Sequence, residues 1–326
     1  MMSIWTQHRP KILLGAAVAL SLVVSLFTDR INPYYYTIII YVGVSVILAS
    51  SLNLINGFAG QFSLGHAGFM AIGAYTAAYM TFVLKVEPGT LAGNLLFLMS
   101  LLIAGLVAGV FGILVGIPSL RLKGDYLAIV TLGFGEIIRV IIQSLDFLGG
   151  ARGFTGIPKM TNFAWVFCVA AILIFMITNL MRSTYGKGFV AVADDEIAAE
   201  AMGINATYYK VVAFVTGAFF AGVAGGLYAH FVTYINPSQF GFIKSIELVV
   251  MVILGGMGNI VGVMLSAALL TILPEALRAI AQYRMVIYAL TLVIIMITRP
   301  QGLFGRGLWM RNLWRRLVGT PKTTGQ

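Results

Sequence analysis

The residues best suited to chemistry form a short acidic segment between two long apolar stretches. It reads DDEIAAEAMG and lies inside the polar stretch 182–210. Asp194 can cap a helix, with Asp195 and Glu196 in its first turn, where carboxylates favour the positive end of the helix dipole. Gly203 can close the same helix, because glycine readily adopts the left-handed conformation. The pattern predicts a short, self-contained helix exposed to water.

Acidic groups and small side chains on one short helix suit non-covalent docking. The small residues allow a close approach, and the carboxylates can pair with Lys or Arg of a partner. We therefore predict a coupling helix that contacts a water-soluble partner, and an ordinary loop helix is the alternative. The predicted contact residues are Asp194, Asp195, Glu196, Glu200, Ala201 and Gly203.

A second polar set lies in the glycine-rich segment 57–75, GFAGQFSLGHAGFMAIGAY. Its candidates for a translocation path, or for the support of one, are Gln61, Ser63 and His66. Glycine lets helices approach closely or break, and an imidazole can titrate near neutral pH. Tight helix packing with interhelical hydrogen bonds explains the same residues, so both interpretations stay open.

Charged pairs at helical spacing form a third set. Glu136 and Arg139 lie three residues apart in TLGFGEIIRVIIQ and can pair on one helix face. Neither charge is tolerated facing lipid near mid-membrane, so both must face the bundle interior or a water-filled path. Glu247, with Lys244 three residues before it, raises the same question. A structural ion pair and a lining of the path are both compatible with this spacing.

Small residues recur every four positions at Gly217, Ala221 and Gly225, which predicts close helix packing rather than a ligand site. The sequence contains no GxxxxGK[ST] phosphate loop, no HExxH motif and a single cysteine, Cys168. Its three histidines have no metal-ligand spacing. These patterns give no support to an enzyme, to a disulfide or to a cofactor held by this chain.

The composition places all of these residues in a membrane protein. The chain has 326 residues, of which 60% are hydrophobic and only 10% charged, and its mean hydropathy is +0.95. A soluble domain cannot hide so much apolar surface, and long apolar runs without alternation indicate transmembrane helices rather than a barrel. The net charge of +10 does not indicate nucleic-acid binding, because Lys and Arg collect at the ends of the apolar runs.

The predicted fold is an all-α, polytopic transmembrane helical bundle of about ten crossings, with one transmembrane domain over residues 1–326. The segment GGMGN divides 246–277 into two short pieces. With that break, the basic tail 299–326 and the N-terminus both fall on the cytoplasmic side, as the positive-inside rule expects. The predicted spans are 11–28, 33–55, 62–84, 91–117, 126–145, 162–181, 211–235, 246–257, 260–277 and 283–298.

Four segments together resemble the LivM-type permeases of branched-chain amino-acid ABC importers. The resemblance runs in order from about residue 40 to residue 305. The segments are RLKGDYLAIVTLGFGEIIR at 121–139, LGHAGFMAIGAY at 64–75, VVMVILGGMGNIVG at 249–262 and MITRPQGLF at 296–304.

The resemblance implies a heteromeric importer in a bacterial inner membrane. A second, homologous permease, two cytoplasmic ATPase subunits that bind ATP and Mg, and a periplasmic binding protein would complete it. The acidic helix would then be the ATPase contact, and the binding protein would dock on the outer loops. Related permeases for urea or short amides, and a stand-alone channel or ion-coupled carrier, are the alternatives. The outer loops are 29–32, 85–90, 146–161 and 236–245.

Overall fold

The computed structural model describes residues 14–15, 18–25, 31–119, 124–280, 289–290, 293 and 302. Within this part of the chain the regular structure is helical, apart from one isolated antiparallel bridge between Phe154 and Ile235. This confirms the prediction of an all-α bundle. The helices are α1 (Pro33–Asn53), α2 (His66–Val83), α3 (Leu91–Ser119), α4 (Asp125–Ser144), α5 (Phe163–Arg182), α6 (Thr184–Asp194), α7 (Glu196–Ala201), α8 (Ala206–Val232), α9 (Phe242–Gly255) and α10 (Ile260–Ala276).

Polar side chains fix where many of these helices begin. In each case the side chain accepts a hydrogen bond from a backbone N–H of the first turn, which otherwise has no partner within the helix. Helix α1 adds a proline at its first position, where the fixed φ of proline suits the helix. The capping residues are Asn32 for α1, Asn162 for α5, Ser183 for α6, Asp195 for α7, Asn205 for α8 and Asn259 for α10.

The core is built around α8, which packs most extensively on α3 and α2 and also contacts α1. The small residues predicted to allow close packing lie on this helix. Gly225 approaches the backbone so closely that a Cβ atom there would collide with the carbonyl oxygen of Met70. Ala221 is fully buried, and Gly217 lies against the side chain of Ile55. Since these contacts leave no room for larger side chains, α8 and α2 form a closely packed unit.

The break predicted at GGMGN is present: α9 ends at Gly255 and α10 begins at Ile260. The two helices pack against each other, and Gly255 lies against the backbone of Val263. The turn between them is tied to α1, because the Gly258 N–H donates to Asn53 Oδ1 at 2.9 Å. Helix α9 alone has 14 residues and is about 21 Å long, so it reaches a membrane-crossing length only together with the preceding turn Pro237–Phe240.

Six helices of the described part of the chain are long and apolar enough to cross a membrane, which confirms a multi-span protein. The span predicted at 211–235 begins earlier, at Ala206, because Asn205 caps α8 there. The first predicted span, 11–28, is described only in part, and almost all of 283–298 and of the tail 299–326 lies outside the described residues. The number of crossings therefore stays a prediction. The six helices are Pro33–Phe58, Leu91–Pro118, Tyr126–Ser144, Phe163–Arg182, Ala206–Val232 and Pro237–Gly255.

Candidate functional site

The polar stretch 182–210 folds into two short helices, α6 and α7, followed by the first turn of α8. A single helix over 194–203 was predicted, and its capping residue was wrong. Asp194 is the last residue of α6, whereas Asp195 caps α7 by accepting from the N–H groups of Ile197 at 2.9 Å and Ala198 at 3.1 Å. Because two aspartates are adjacent, the sequence permits either one to cap the helix. Asp194 belongs to α6, so Asp195 is the residue that caps α7.

Gly203 closes α7 as predicted from its type. Its φ of +82° lies in the left-handed region, where a side chain is strained. The Gly203 N–H donates to the Glu200 carbonyl at 2.9 Å, and the Ile204 N–H donates to the Ala199 carbonyl at 3.0 Å. This pair of hydrogen bonds forms a Schellman motif, which satisfies the last carbonyls of the helix. Helix α7 is thus fixed at both ends despite having only six residues.

The outer surface of this short helix is partly apolar. Ile197 is 72% exposed and Met202 is 82% exposed. Glu200 and Ala201 are also exposed. Large exposed side chains that lie outside the apolar spans are typical of a surface that another protein covers. The acidic residues of the segment indicated docking, but the exposure of Ile197 was not predicted, because its face depends on how α7 packs.

Glu196 does not belong to this outer surface. Its Oε1 atom lies 2.7 Å from Nζ of Lys210, and the Lys210 side chain is only 2% exposed. Lys210 lies in the first two turns of α8, inside the stretch that was predicted to be loop. The pair joins residues fourteen positions apart, so no local spacing rule signals it. Glu196 thus pairs with a buried cation of this protein while 24% of its side chain stays exposed, and its contact with a partner stays a prediction.

Gln61, Ser63 and His66 lie in the packed interior near the end of α1. His66 is fully buried, and its Nε2 lies 2.8 Å from Oγ of Ser51. The Ser63 N–H donates to Asn56 Oδ1 at 3.2 Å, and the Gln61 N–H donates to a carbonyl of the same region at 3.0 Å. These bonds hold the non-helical connection 59–65 against α1 and the π-helical turn Leu54–Phe58 that follows it. All three residues are buried, and their role in a path or in its support stays a prediction.

Glu136 and Arg139 form the ion pair that their spacing permits. Arg139 Nε lies 2.6 Å from Glu136 Oε2, and the other carboxylate oxygen accepts from the Phe242 N–H at 3.0 Å. A similar pair joins Lys244 and Glu247 at 3.0 Å on α9. All four side chains are between a quarter and about a third exposed. The bond to Phe242 places the beginning of α9 beside the middle of α4.

The chain matches a known protein family over most of its length. The family described as "Branched-chain amino acid transport system / permease component" matches residues 34–297. The chain belongs to this permease family. The matched range includes α1 to α10, and therefore the 182–210 segment and both ion pairs, while the tail 299–326 follows it. Together with the six apolar helices, the family identifies a multi-pass membrane protein.

Individual relatives of the chain are permease proteins of the same kind. This permease is 36% identical to the high-affinity branched-chain amino acid transport system permease protein LivM of Salmonella typhimurium LT2, and the alignment covers 79% of this chain and 67% of LivM. The LivM protein of Escherichia coli K12 has the same identity and coverage. The LivH permease protein of Escherichia coli K12 is 24% identical, over 80% of this chain and 91% of LivH.

Proposed function

We infer that this permease is the membrane-spanning subunit of a binding-protein-dependent ABC importer in a bacterial inner membrane, and that its substrate is a branched-chain amino acid. The exposed surface of α7 carries the inference, because a chain so apolar presents acidic and apolar side chains together on a short, doubly capped helix. The substrate follows from the relatives, whose names describe branched-chain amino acid transport.

The partners follow from the same reasoning. Two cytoplasmic ATPase subunits bind ATP and Mg, and one of them docks on the 182–210 segment of this permease. A second, homologous permease forms the other half of the translocation path, and a periplasmic binding protein delivers the substrate to the outer connections. Closure of the ATPases around ATP moves the permease pair between inward-open and outward-open states, which is alternating access. Both termini of the permease are then cytoplasmic.

The ATPase contact combines charge with apolar area. Ile197 and Met202 would fill a groove of the ATPase, since apolar anchors carry much of the affinity of protein interfaces. Asp194, Asp195 and Glu200 surround them and would pair with Lys or Arg of the ATPase. Such rim charges set the orientation and the association rate more than the affinity.

The path is proposed to run along α4 and α9. Glu136 and Arg139 lie near the middle of α4 and remain partly exposed on the surface of the chain. Since charges at that depth are costly against lipid, water or the second permease would cover them. Glu247 meets the same condition on α9. A pathway with both signs of charge also suits a zwitterionic amino acid, whose carboxylate and ammonium groups both need partners.

Purification from the native membrane followed by reconstitution tests this function. A tagged permease should copurify with an ATPase pair and a second permease in mild detergent. The reconstituted complex, with its binding protein, should take up radiolabelled leucine only when ATP is present on the ATPase side. Uptake by the permease alone without ATP would instead establish a channel or ion-coupled carrier. If urea or short amides lower the uptake and isoleucine and valine do not, the substrate belongs to the urea and amide class instead.

The docking surface has its own test. Replacing Ile197 and Met202 with serine should lower the amount of ATPase that copurifies at least tenfold, because two apolar anchors are lost. Leu91→Ser is the matched control, since Leu91 is an equally exposed apolar residue at the start of α3, away from α7. Copurification that is unchanged in the double variant would contradict docking at α7.

A further inference from the structure

Lys210 is a buried cation whose ion-pair partner lies on another helix. It ranks among the largest fully buried side chains of the described residues, and its ammonium group lies 2.7 Å from Glu196 Oε1. Removing an ammonium group from water is costly, so the charge persists there only with a partner in good geometry. Glu196 is the first residue of α7 and is 24% exposed. The pair therefore fixes the start of α7 to α8.

The other contacts of α7 are few. Ala199 is the buried residue of this helix, and it packs with Val192 of α6 and Ala206 of α8 in a small apolar cluster. The remaining side chains of the helix point toward water. An apolar contact of this size lets a six-residue helix tilt or slide, whereas a buried ion pair holds one position. The Glu196–Lys210 pair thus adds a directional contact between α7 and α8 to the short connection 202–205 that joins them.

Helix α8 leads from this link to the opposite end of the protein. Its 27 residues extend over about 40 Å. The helix ends at Val232, and Ile235 then exchanges two backbone hydrogen bonds with Phe154, at 2.8 and 3.1 Å. The Tyr234 hydroxyl also donates to the Arg152 carbonyl at 2.9 Å. The connections 145–162 and 233–241 are therefore joined at the far end of α8.

We propose that the Glu196–Lys210 ion pair is the mechanical joint through which movement of α7 is transmitted to α8, and through α8 to the connected outer loops. The proposal rests on the proposed function, in which α7 receives the motion of an ATPase. It changes the role of Glu196 from an ATPase contact to a positioning residue inside the permease. The close packing of α8 on α2 makes α8 stiff enough to carry a displacement along its length.

The ratio of substrate taken up to ATP hydrolysed measures such a joint directly. A pair that only stabilises the fold changes the yield of the complex and leaves this ratio intact. If the pair transmits motion, its loss leaves assembly of the complex and ATP hydrolysis intact but abolishes substrate uptake. The ratio is measured in proteoliposomes that hold the complete complex with Glu196→Gln, Lys210→Met or Lys210→Arg in this chain. Glu275→Gln, the same change in an exposed ion pair of α10, is the control.

Glu196→Gln and Lys210→Met should each copurify with the ATPases at the wild-type level and lower uptake per ATP at least tenfold. Lys210→Arg keeps the charge and should restore most of the ratio, and Glu275→Gln should not change it. The double variant Lys210→Met with Glu196→Gln keeps the test valid if either single variant fails to fold, because it removes the pair and leaves no unpaired buried charge. A wild-type ratio in Glu196→Gln, or loss of ATPase copurification as its only defect, would overturn the proposal. If the wild-type complex shows no ATP-driven uptake, the proposed function is wrong, and the proposal for the Glu196–Lys210 pair is rejected with it.

Discussion

Two ion pairs of similar length occupy different surroundings in this permease. Glu136 and Arg139 lie one turn apart on α4 and stay partly exposed, whereas Glu196 and Lys210 join two helices and bury the lysine. The first pair follows from local spacing, since residues three apart on a helix face each other. The second depends on how α7 folds back on α8. Charge identity alone therefore does not assign a role to an ion pair, whereas burial and the elements that the pair connects do.

The third pair completes a series of decreasing burial. Glu275 and Arg278 are 3.5 Å apart at the end of α10, and the arginine side chain is 64% exposed. The Tyr34 hydroxyl also donates to the Glu275 carboxylate. If burial sets the importance of a pair, the effects of removing one partner should follow the order of the three pairs.

The largest effect is expected for Lys210→Met in the isolated permease. Removing one partner of a buried pair costs about 3–5 kcal/mol, and the lower end applies here because the remaining Glu196 carboxylate can reach water. We expect a loss of about 3 kcal/mol in the free energy of unfolding. Methionine keeps the apolar packing of the lysine stem, so the loss reports the charge. Denaturant titration in detergent micelles measures it.

The double variant Lys210→Met with Glu196→Gln is the control for this effect. It removes the unpaired carboxylate, so it should recover part of the lost stability, with a coupling energy on the order of 1 kcal/mol or more. A double variant that is less stable than Lys210→Met alone would contradict the assignment of the cost to an unpaired charge.

An intermediate effect is expected for Glu136→Gln. The glutamine still accepts the Phe242 N–H through its carbonyl oxygen, so the stability loss should be on the order of 1 kcal/mol. If the pair lines the path, the initial rate of uptake should fall more than the amount of folded complex does. Glu247→Gln is the parallel test in the second pair proposed for the path, because Glu247 has the same spacing to its cation and similar exposure. Uptake that falls only in proportion to folded complex in both variants would limit these pairs to support.

The smallest effect is expected for Glu275→Gln. Exposed pairs contribute little, because water screens the charges and long side chains lose entropy when they pair. Glutamine also retains an acceptor for the Tyr34 hydroxyl. We expect the denaturant midpoint of unfolding of Glu275→Gln to equal that of the wild-type protein in the same detergent. A shift as large as that of Glu136→Gln would show that exposure does not order the three pairs.

The acidic segment shows how far the sequence could predict the candidate site. The residue types alone predicted a capped helix that ends at Gly203, since capping depends on the residues next to the helix. They could not choose between Asp194 and Asp195, because the cap depends on where α6 ends. They also could not predict that Glu196 turns inward, since its partner belongs to another helix.

The polar residues near the end of α1 show the same limit of sequence-based prediction for the translocation path. The sequence marked Gln61, Ser63 and His66 as polar groups in an apolar region, where each needs a hydrogen-bond partner. It left open whether those partners were water in a path or groups of the protein. The structure provides Ser51 as the partner of the His66 ring, whereas the Ser63 hydroxyl accepts from the Gly65 N–H and the Gln61 amide donates to the Ala59 carbonyl. Only the three-dimensional packing could identify the partner of His66, because the two residues lie fifteen positions apart.

The all-α membrane bundle, most of the apolar helices and the break at GGMGN could be predicted from the amino-acid sequence. These features follow from local physics, because the bilayer requires long apolar helices whose backbone groups are satisfied internally. The central position of α8, the exposure of Ile197 and the burial of Lys210 against Glu196 became evident only from the folded structure. Those outcomes depend on contacts between residues distant in the chain, whose energies are fixed only when the helices pack.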